Sequence, residues 1–252
     1  MMSPEKTFLF IAALLFMQST GAAELQGTVG WARISPLGFT VTGVVDLVAV
    51  QPGAKVSKGQ LLVQLEQRPF TIDVKKYRAN TETIEPLLFD SKIELSQAEE
   101  LYDRTVLSQV ELQKIEAPHR GLEAQSRVAQ MEFELAKWRL EKSSLLAPFD
   151  GIVVSNAFSS GQIVSEENKA DISLLLASSS FMSLTVAVSA EELAALPINH
   201  SVKIQLGSDS MPGVVRQHDM QANDKGLLRC VIEFENPQGR TYYAGQTAKV
   251  IY

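Results

Sequence analysis

Two stretches of sequence decide the fold: GVVDLVAVQPGAKVSKGQLLVQLE at Gly43–Glu66 and APFDGIVVSNAFSSGQIVS at Ala147–Ser165. A shift of 108 positions places five residues of the first stretch on identical residues of the second: Gly43, Val45, Gly53, Val56 and Ser57. Each stretch is typical of a strand, a glycine turn and a second strand, because Val, Ile and Leu favour strands and Gly supplies the positive φ of tight turns. A unit of this length cannot bury its own apolar face, so we expect the two copies to pack on each other.

The predicted domain is therefore split along the chain. Its halves are residues 43–69 and 144–171, and the chain between them has to leave the domain and re-enter it. A residue with a β-branched side chain would be strained wherever a turn requires positive φ. The glycines assigned to turns are Gly53, Gly59, Gly151 and Gly161.

Between the two halves, from about residue 70 to residue 143, the apolar spacing changes from two to alternating threes and fours. That spacing is typical of a coiled coil, and we predict two antiparallel helices. A neighbouring stripe of Val128, Met131, Leu135 and Trp138 is expected to widen the packed face. The residues expected at the seam are Ile84, Leu88, Ser91, Leu95, Ala98 and Tyr102 in the first helix, and Leu112, Ile115, His119, Leu122, Ser126, Ala129, Phe133, Ala136 and Leu140 in the second.

The connection between the two predicted helices lies near Leu107, because Ser108 and Glu111 form a capping-box pattern at the start of the second helix. A helix of about 35 residues reaches roughly 50 Å. Proline removes a backbone hydrogen bond from a helix interior and tends to kink it. We therefore expect the first helix to begin in earnest near Pro86 and the second to bend near Pro118.

The remaining segments predict an export signal and a second β-domain. Residues 1–23 contain a basic residue, the apolar run Phe8–Met17, and small residues that allow cleavage after Ala23. The apolar run is shorter than the ~20 residues that span a bilayer, although a retained membrane anchor is the alternative. Residues 24–42 and 172–252 contain short strands separated by Gly, Pro and Asn turns, which predicts a small antiparallel β-barrel.

Composition and motifs exclude several functions. The formal net charge of -6 argues against a nucleic-acid binder, which normally shows a basic stripe. Cys230 is the only cysteine, which excludes an internal disulfide, and its apolar strand favours a buried and inert thiol. The histidines, His119, His200 and His218, have no nucleophile motif beside them. A solvated loop is a simpler interpretation of His218 than a metal site with Met211, because no further ligand follows at a telling spacing.

Three stretches carry a resemblance to a known family. They are V-x-P-G-x-x-V-x-K-G-Q-x-L at Val50–Leu62, A-P-F-D-G at Ala147–Gly151 and A-G-Q-T-A-K-V at Ala244–Val250. Each repeat copy resembles half of a biotinyl/lipoyl domain. With the inserted helices, the signal and the barrel, the chain resembles the periplasmic adaptors, or membrane fusion proteins, of the HlyD and RND efflux type. The expected fold class is α+β, mostly β: a split lipoyl-like β-sandwich, an inserted antiparallel α-helical hairpin (residues 70–143) and a small antiparallel β-barrel.

The resemblance implies a non-enzymatic scaffold in the periplasm of a Gram-negative bacterium. Such adaptors bridge an inner-membrane transporter, of RND or ABC type, to an outer-membrane channel of TolC type, and they form homo-oligomeric rings that are often hexamers. In many members the tip of the helical hairpin reaches the channel through an arginine, a leucine and a serine. The corresponding residues here are Arg104, Leu107 and Ser108, at a shorter arginine-to-serine spacing than in drug-pump members. Ser108 is assigned to the helix cap, to docking, or to both.

No cofactor is expected, since the long helices occupy the position where a lipoyl or biotin domain carries its modified lysine. Two alternative functions stay open from the sequence. One is a biotin or lipoate carrier subunit of an enzyme. The other is an adaptor-like envelope protein that serves an ABC-type exporter or acts without a pump. The transported substrate, whether drug, metal or polypeptide, is also open.

Overall fold

A computed structural model describes residues 24–165, 173–236 and 242–252. The predicted signal peptide, residues 1–23, lies outside the described residues. In chain order the elements are β1 (Glu24–Trp31), β2 (Ile34–Leu37), β3 (Gly43–Val48), β4 (Lys55–Val56), β5 (Leu61–Leu65), α1 (Arg68–Asp103), α2 (Gln109–Lys142), β6 (Ser144–Leu146), β7 (Gly151–Asn156), β8 (Ile163–Val164), β9 (Leu174–Ser178), β10 (Phe181–Val188), α3 (Ala190–Ala194), β11 (Ser201–Leu206), β12 (Asp209–His218), β13 (Leu228–Glu235) and β14 (Thr247–Ile251).

The chain forms two compact units. One contains the described residues up to Gly30 together with Ser183–Phe234 and Tyr243–Tyr252, and it is a closed barrel in the order β1-β10-β13-β12-β11-β14. The ladders that β14 makes with β1 and β11, and that β12 makes with β11 and β13, are antiparallel. Alternate residues of these strands point inward, as in β11, whose burial alternates strictly between exposed and buried. The predicted small barrel is confirmed.

The second unit contains a β-sandwich from which α1 and α2 extend. Its two sheets have the orders β2-β9-β7-β4 and β6-β5-β3-β8, so each sheet takes strands from both repeat copies. The core between them is aliphatic, and Phe39 meets Phe158 edge to face with ring centroids 5.4 Å apart. Leu62, Leu65, Leu174 and Leu176 are completely buried in it.

The shift of 108 positions that superposes the two sequence copies also superposes their hydrogen bonds. Gly53 N donates to Val153 O at 2.7 Å, and the equivalent Gly161 N donates to Val45 O at 2.7 Å. The ladder between β3 and β8 corresponds in the same way to the ladder between β7 and β4. The two halves therefore bind each other reciprocally, which is why neither forms a domain without the other.

The glycines assigned to turns fall into two groups. Gly53, Gly59 and Gly161 have φ values of 88°, 82° and 82°, in the left-handed region that favours glycine. Gly151 was assigned wrongly, because it begins strand β7 rather than a turn. A Cβ at Gly151 would lie 2.3 Å from the carbonyl oxygen of Ala177. The glycine is thus needed for the close approach of β7 to β9.

Two strands correct the predicted domain boundaries. Residues 34–37 and 174–178 were assigned to the barrel, but β2 and β9 pair with each other in the sandwich. β9 also pairs with β7, which places it at the centre of its sheet. β2 and β9 belong to the sandwich because the repeat copies alone do not cover its core. Phe39, Leu174 and Leu176 complete that core.

We call α1 and α2 together the helix pair. Gln67 Nε2, directly before α1, donates to Ser144 Oγ after α2 at 2.9 Å, and Ser91 Oγ lies 2.9 Å from His119 Nδ1 farther along. The helices therefore run antiparallel. All predicted seam positions except Tyr102 are buried or half-buried, as the spacing predicted. The stripe of Val128, Met131, Leu135 and Trp138 does not widen the packed face as expected, because all four side chains are exposed.

Pro86 does not mark the start of the first helix as expected, and the bend expected near Pro118 stays a prediction. α1 is continuous from Arg68, with Pro69 in its first turn and Pro86 inside it, and α2 continues through Pro118. Both interior prolines are on the exposed side. There, the carbonyl group that each proline leaves without an intrahelical partner can be hydrated.

Candidate functional site at the connection of the long helices

The connection between α1 and α2 begins with a hydrogen-bonded turn. Val106 N donates to Leu101 O at 2.9 Å and Thr105 N donates to Tyr102 O at 2.8 Å, the pattern of a Schellman motif. Thr105 occupies the left-handed position of this motif at φ 58°. A glycine is the usual residue there, since a β-branched side chain is strained at positive φ. This strained turn directs the residues that follow it away from the end of α1.

The start of α2 is fixed by the predicted capping box, which is confirmed. Ser108 Oγ accepts from Glu111 N at 3.3 Å and donates to Glu111 Oε2 at 2.6 Å. Ser108 N donates to the same carboxylate oxygen at 2.9 Å. These hydrogen bonds from the side chain and backbone of Ser108 lower the pKa of the Glu111 carboxyl. The hydroxyl of Ser108 is therefore already used, as donor and as acceptor, inside the molecule.

The connection exposes apolar side chains that the sequence reasoning missed. Val106 is 70% exposed and Val110 is 62% exposed, whereas the predicted docking residue Leu107 is half-buried. Neither valine fits the seam spacing, and their exposure could have been predicted from that. We call Val106, Val110 and the exposed Leu101 the tip patch.

Arg104, the remaining predicted docking residue, is the C-cap of α1 and is exposed. Within the described part of the chain, its guanidinium makes no hydrogen bond and no ion pair. A cation at a helix C-terminus is favoured by the helix dipole. The arrangement thus combines a fixed backbone, an apolar patch and a guanidinium whose donors are available to a carboxylate or carbonyl group.

The tip is separated from the sandwich by helices of 36 and 34 residues, or roughly 50 Å. The roots of both helices are fixed, because β5 precedes α1, β6 follows α2, and β5 pairs with β6. Residues 24–165, 173–236 and 242–252 include no helix that is long and apolar enough to cross a membrane. The same residues contain no group of three or more His, Cys, Asp or Glu that could hold a metal ion.

A family model described as the CzcB-like, barrel-sandwich hybrid domain matches residues 33–172, which is more than half of the chain. The chain belongs to the periplasmic adaptor family. Members of this family are also called membrane fusion proteins. The matched range contains the whole helix pair and every strand of the sandwich except β9, which are therefore the parts that the chain shares with other adaptors.

Curated adaptor relatives are longer than this chain. The multidrug resistance protein MdtA of Photorhabdus laumondii is 26% identical over 146 residues, which is 58% of this chain and 36% of the relative. MdtA of Pectobacterium atrosepticum is 25% identical over 125 residues, which is 50% of this chain and 30% of the relative. The chain thus spans about a third of the length of these relatives.

Solved adaptor structures share the fold. A membrane fusion protein of Streptococcus pneumoniae is similar with a TM-score of 0.69 at 15% identity, covering 90% of this chain and 97% of that one. A MacA–MexA chimera with the α-hairpin domain of Pseudomonas aeruginosa MexA has a TM-score of 0.68 at 19% identity, covering 91% of this chain and 80% of the chimera. At these identities the likeness concerns the fold alone.

Proposed function

We propose that the chain is a periplasmic adaptor subunit of a tripartite efflux or secretion system. It bridges an inner-membrane transporter, of RND or ABC type, to an outer-membrane channel of TolC type. It acts as a scaffold without catalysis, in the periplasm of a Gram-negative bacterium. The observation that carries the proposal is the split sandwich, whose adjacent strands β5 and β6 hold the roots of two long helices and leave their connection exposed.

The docking end is the tip. The helix pair works as a coiled-coil hairpin that presents Arg104 and the tip patch to the channel. Arg104 supplies donors for a carboxylate or carbonyl group, and Val106 and Val110 supply apolar area that is removed from water on binding. Ser108 acts chiefly as the helix cap, because its hydroxyl is already hydrogen-bonded to Glu111 in both directions. Leu107 is half-buried, so it offers a partner less apolar area than Val106 or Val110 does.

The ring is formed through the sides of the helix pair. The exposed stripe of Val128, Met131, Leu135 and Trp138 occupies one side of α2, and contiguous exposed apolar patches mark interaction surfaces. A contact between this side and a different side of the next copy repeats by rotation and closes into a ring, of which a hexamer is one form.

Site-specific photo-cross-linking tests both contacts in cells that contain the complete system. A photoreactive residue at Val106 is expected to yield a product that contains an outer-membrane channel protein. The matched position Val128 is also an exposed valine, on α2, and it is expected to yield a dimer of this chain. Self-cross-linking at Val106 with no channel product would contradict the docking proposal. Channel cross-linking at Val128 would contradict the assignment of the stripe to the ring.

A further inference from the structure

The seam between α1 and α2 contains a polar layer within its apolar and small residues. The buried residues of the helix pair include Ile84, Ala98, Ala129 and Ala136, but also His119, which is only 8% exposed. α1 places Ser91 against the imidazole ring. Polar groups removed from water destabilise a packed interface unless they are hydrogen-bonded. The stability of the layer therefore depends on how the ring is paired.

Three contacts define this layer. Ser91 Oγ donates to the carbonyl oxygen of Leu88 at 2.9 Å. The same Ser91 Oγ lies 2.9 Å from His119 Nδ1. On the other side of the ring, His119 Nε2 lies 3.6 Å from Glu123 Oε1, one turn farther along α2. One oxygen of α1 and one carboxylate of α2 thus face the two ring nitrogens.

The number of protons decides which contacts are attractive. Ser91 has one hydroxyl proton, and if Leu88 accepts it, the Ser91 oxygen has to accept a proton from His119 Nδ1. The 3.6 Å contact between His119 Nε2 and Glu123 Oε1 is too long for a hydrogen bond, and it becomes an ion pair only when the ring carries a proton on both nitrogens. A neutral ring therefore satisfies at most two of the three contacts. A doubly protonated, cationic ring satisfies all three.

We propose that Ser91, His119 and Glu123 form a proton-responsive clamp, which binds α1 to α2 more strongly when His119 is cationic. Histidine is the side chain whose charge changes near neutral pH. Acidification of the surrounding compartment then stabilises the helix pair and stiffens it. The clamp is a property of the helix pair, so it does not rest on the identity of the channel or the transporter.

The other charges near the ring leave Glu123 as its direct charged partner. On α2, Glu116 and Arg120 lie on either side of His119 and form an ion pair with each other. On α1, Asp90 and Lys92 flank Ser91, and both are exposed. Neither of them makes a hydrogen bond or ion pair with the ring within the described residues.

The contact between His119 and Glu123 is only partly shielded from solvent. The Glu123 side chain is 46% exposed, so solvent weakens the ion pair. The expected effect is therefore modest, a change of ~2–4 °C in the unfolding midpoint for a chain of this size.

Thermal unfolding of the full chain, followed by far-UV circular dichroism, tests the clamp. The signal reports the helix pair, because α1 and α2 contain 36 and 34 residues and α3 only 5. Midpoints are measured at about pH 8 and about pH 5.5, on either side of the histidine range. On acidification, the midpoint of the native sequence is expected to rise by ~2–4 °C relative to His119→Gln and relative to Glu123→Gln.

Glu82→Gln is the matched control. Glu82 also belongs to an exposed i,i+4 pair, with Arg78 on α1, but no histidine is involved. It is expected to follow the native sequence at both pH values. Glu123→Gln changes a half-exposed side chain, so it reports on the clamp even if His119→Gln does not fold. A pH response of Glu123→Gln equal to that of the native sequence would overturn the proposal, as would an equal response of His119→Gln.

Discussion

The sandwich completely buries large aliphatic side chains, whereas the helix pair buries mostly small or polar ones. Leu62, Leu65, Leu174 and Leu176 have no exposed surface in the sandwich. The helix pair encloses one fully aliphatic branched residue, Ile84, together with alanines, Thr81 and His119. Two helices have a single narrow seam between them, while two sheets enclose a layer about 10 Å thick. The sandwich is thus held by its own core, and the helix pair leaves most of its surface available to partners.

The two regions also differ in how they use glycine. The sandwich has glycines at positive φ in its turns and others where strands approach closely, so its backbone conformation depends on glycine at individual positions. α2 contains one glycine, Gly121, and a Cβ there would meet nothing within 4 Å. This contrast predicts that equivalent substitutions change the free energy of unfolding by different amounts, and even in opposite directions, in the two regions.

The largest effect is expected for Gly151→Ala in the sandwich. The added Cβ would lie 2.3 Å from Ala177 O, and a backbone atom cannot move aside as a side chain can. We expect a loss of about 3 kcal/mol of unfolding free energy, or failure to fold. Gly43→Ala is the control at the equivalent position of the other half. The nearest atom to the Cβ added at Gly43 is Leu65 Cδ1 at 3.0 Å, which is the end of a side chain. We therefore expect a loss of about 1 kcal/mol of unfolding free energy.

Calorimetric unfolding of both variants measures the difference. A similar midpoint for Gly151→Ala and Gly43→Ala would show that the close approach of β7 to β9 does not constrain the sandwich. It would also remove an asymmetry between two halves whose turn hydrogen bonds are reciprocal.

Signals that act over a few residues predicted the structure well, and signals that depend on distant packing did not. The strand–turn–strand pattern of each repeat copy, the seam spacing and the Ser108–Glu111 cap are local patterns, and each corresponds to the expected element. β2 and β9 were misassigned because a short strand does not reveal its partner, which here lies about 140 residues away in sequence. The stripe on α2 was expected to widen the packed face because two adjacent stripes share the helical spacing, and packing alone selects between them.

The same limit applies to the candidate site. Arg104, Leu107 and Ser108 were chosen by resemblance, but the exposed side chains of the tip patch depend on the turn at Thr105. Nothing in the sequence marks Thr105, since glycine is the usual residue in its conformation. The orientation of Val106 became visible only with the backbone geometry.

A smaller and opposite pair of effects is expected for glycines that face open space. Gly53→Ala should cost ~1–2 kcal/mol, because Gly53 has positive φ and a Cβ meets no atom there. Gly121→Ala should gain up to ~1 kcal/mol, because alanine favours the helix interior. Urea unfolding measures both changes. If both substitutions changed the free energy of unfolding in the same direction, that result would contradict the view that backbone conformation limits the stability of the sandwich while helix propensity limits the stability of the helix pair.

The smallest and most local effect is expected at the tip, for Ser108→Ala. Loss of an N-cap serine costs about 1 kcal/mol, and here it should open the first turn of α2. Hydrogen bonds from Ser108 lower the pKa of Glu111, so the carboxylate stabilises the native tip above the unfolded-state pKa and loses this role as the pH falls through the lowered native value. The native sequence and Ser108→Ala should therefore differ most near neutral pH and converge in acid.

Hydrogen exchange of the backbone amides of Val110, Glu111 and Leu112, corrected for intrinsic rates, measures this local opening. Ser189→Ala is the matched control, because Ser189 and Glu192 form the same capping box at the start of α3 in the barrel. It should leave exchange at the tip unchanged. If Ser108→Ala also leaves that exchange unchanged near neutral pH, the capping box does not fix the tip, and the assignment of Ser108 to the cap rather than to docking loses its basis.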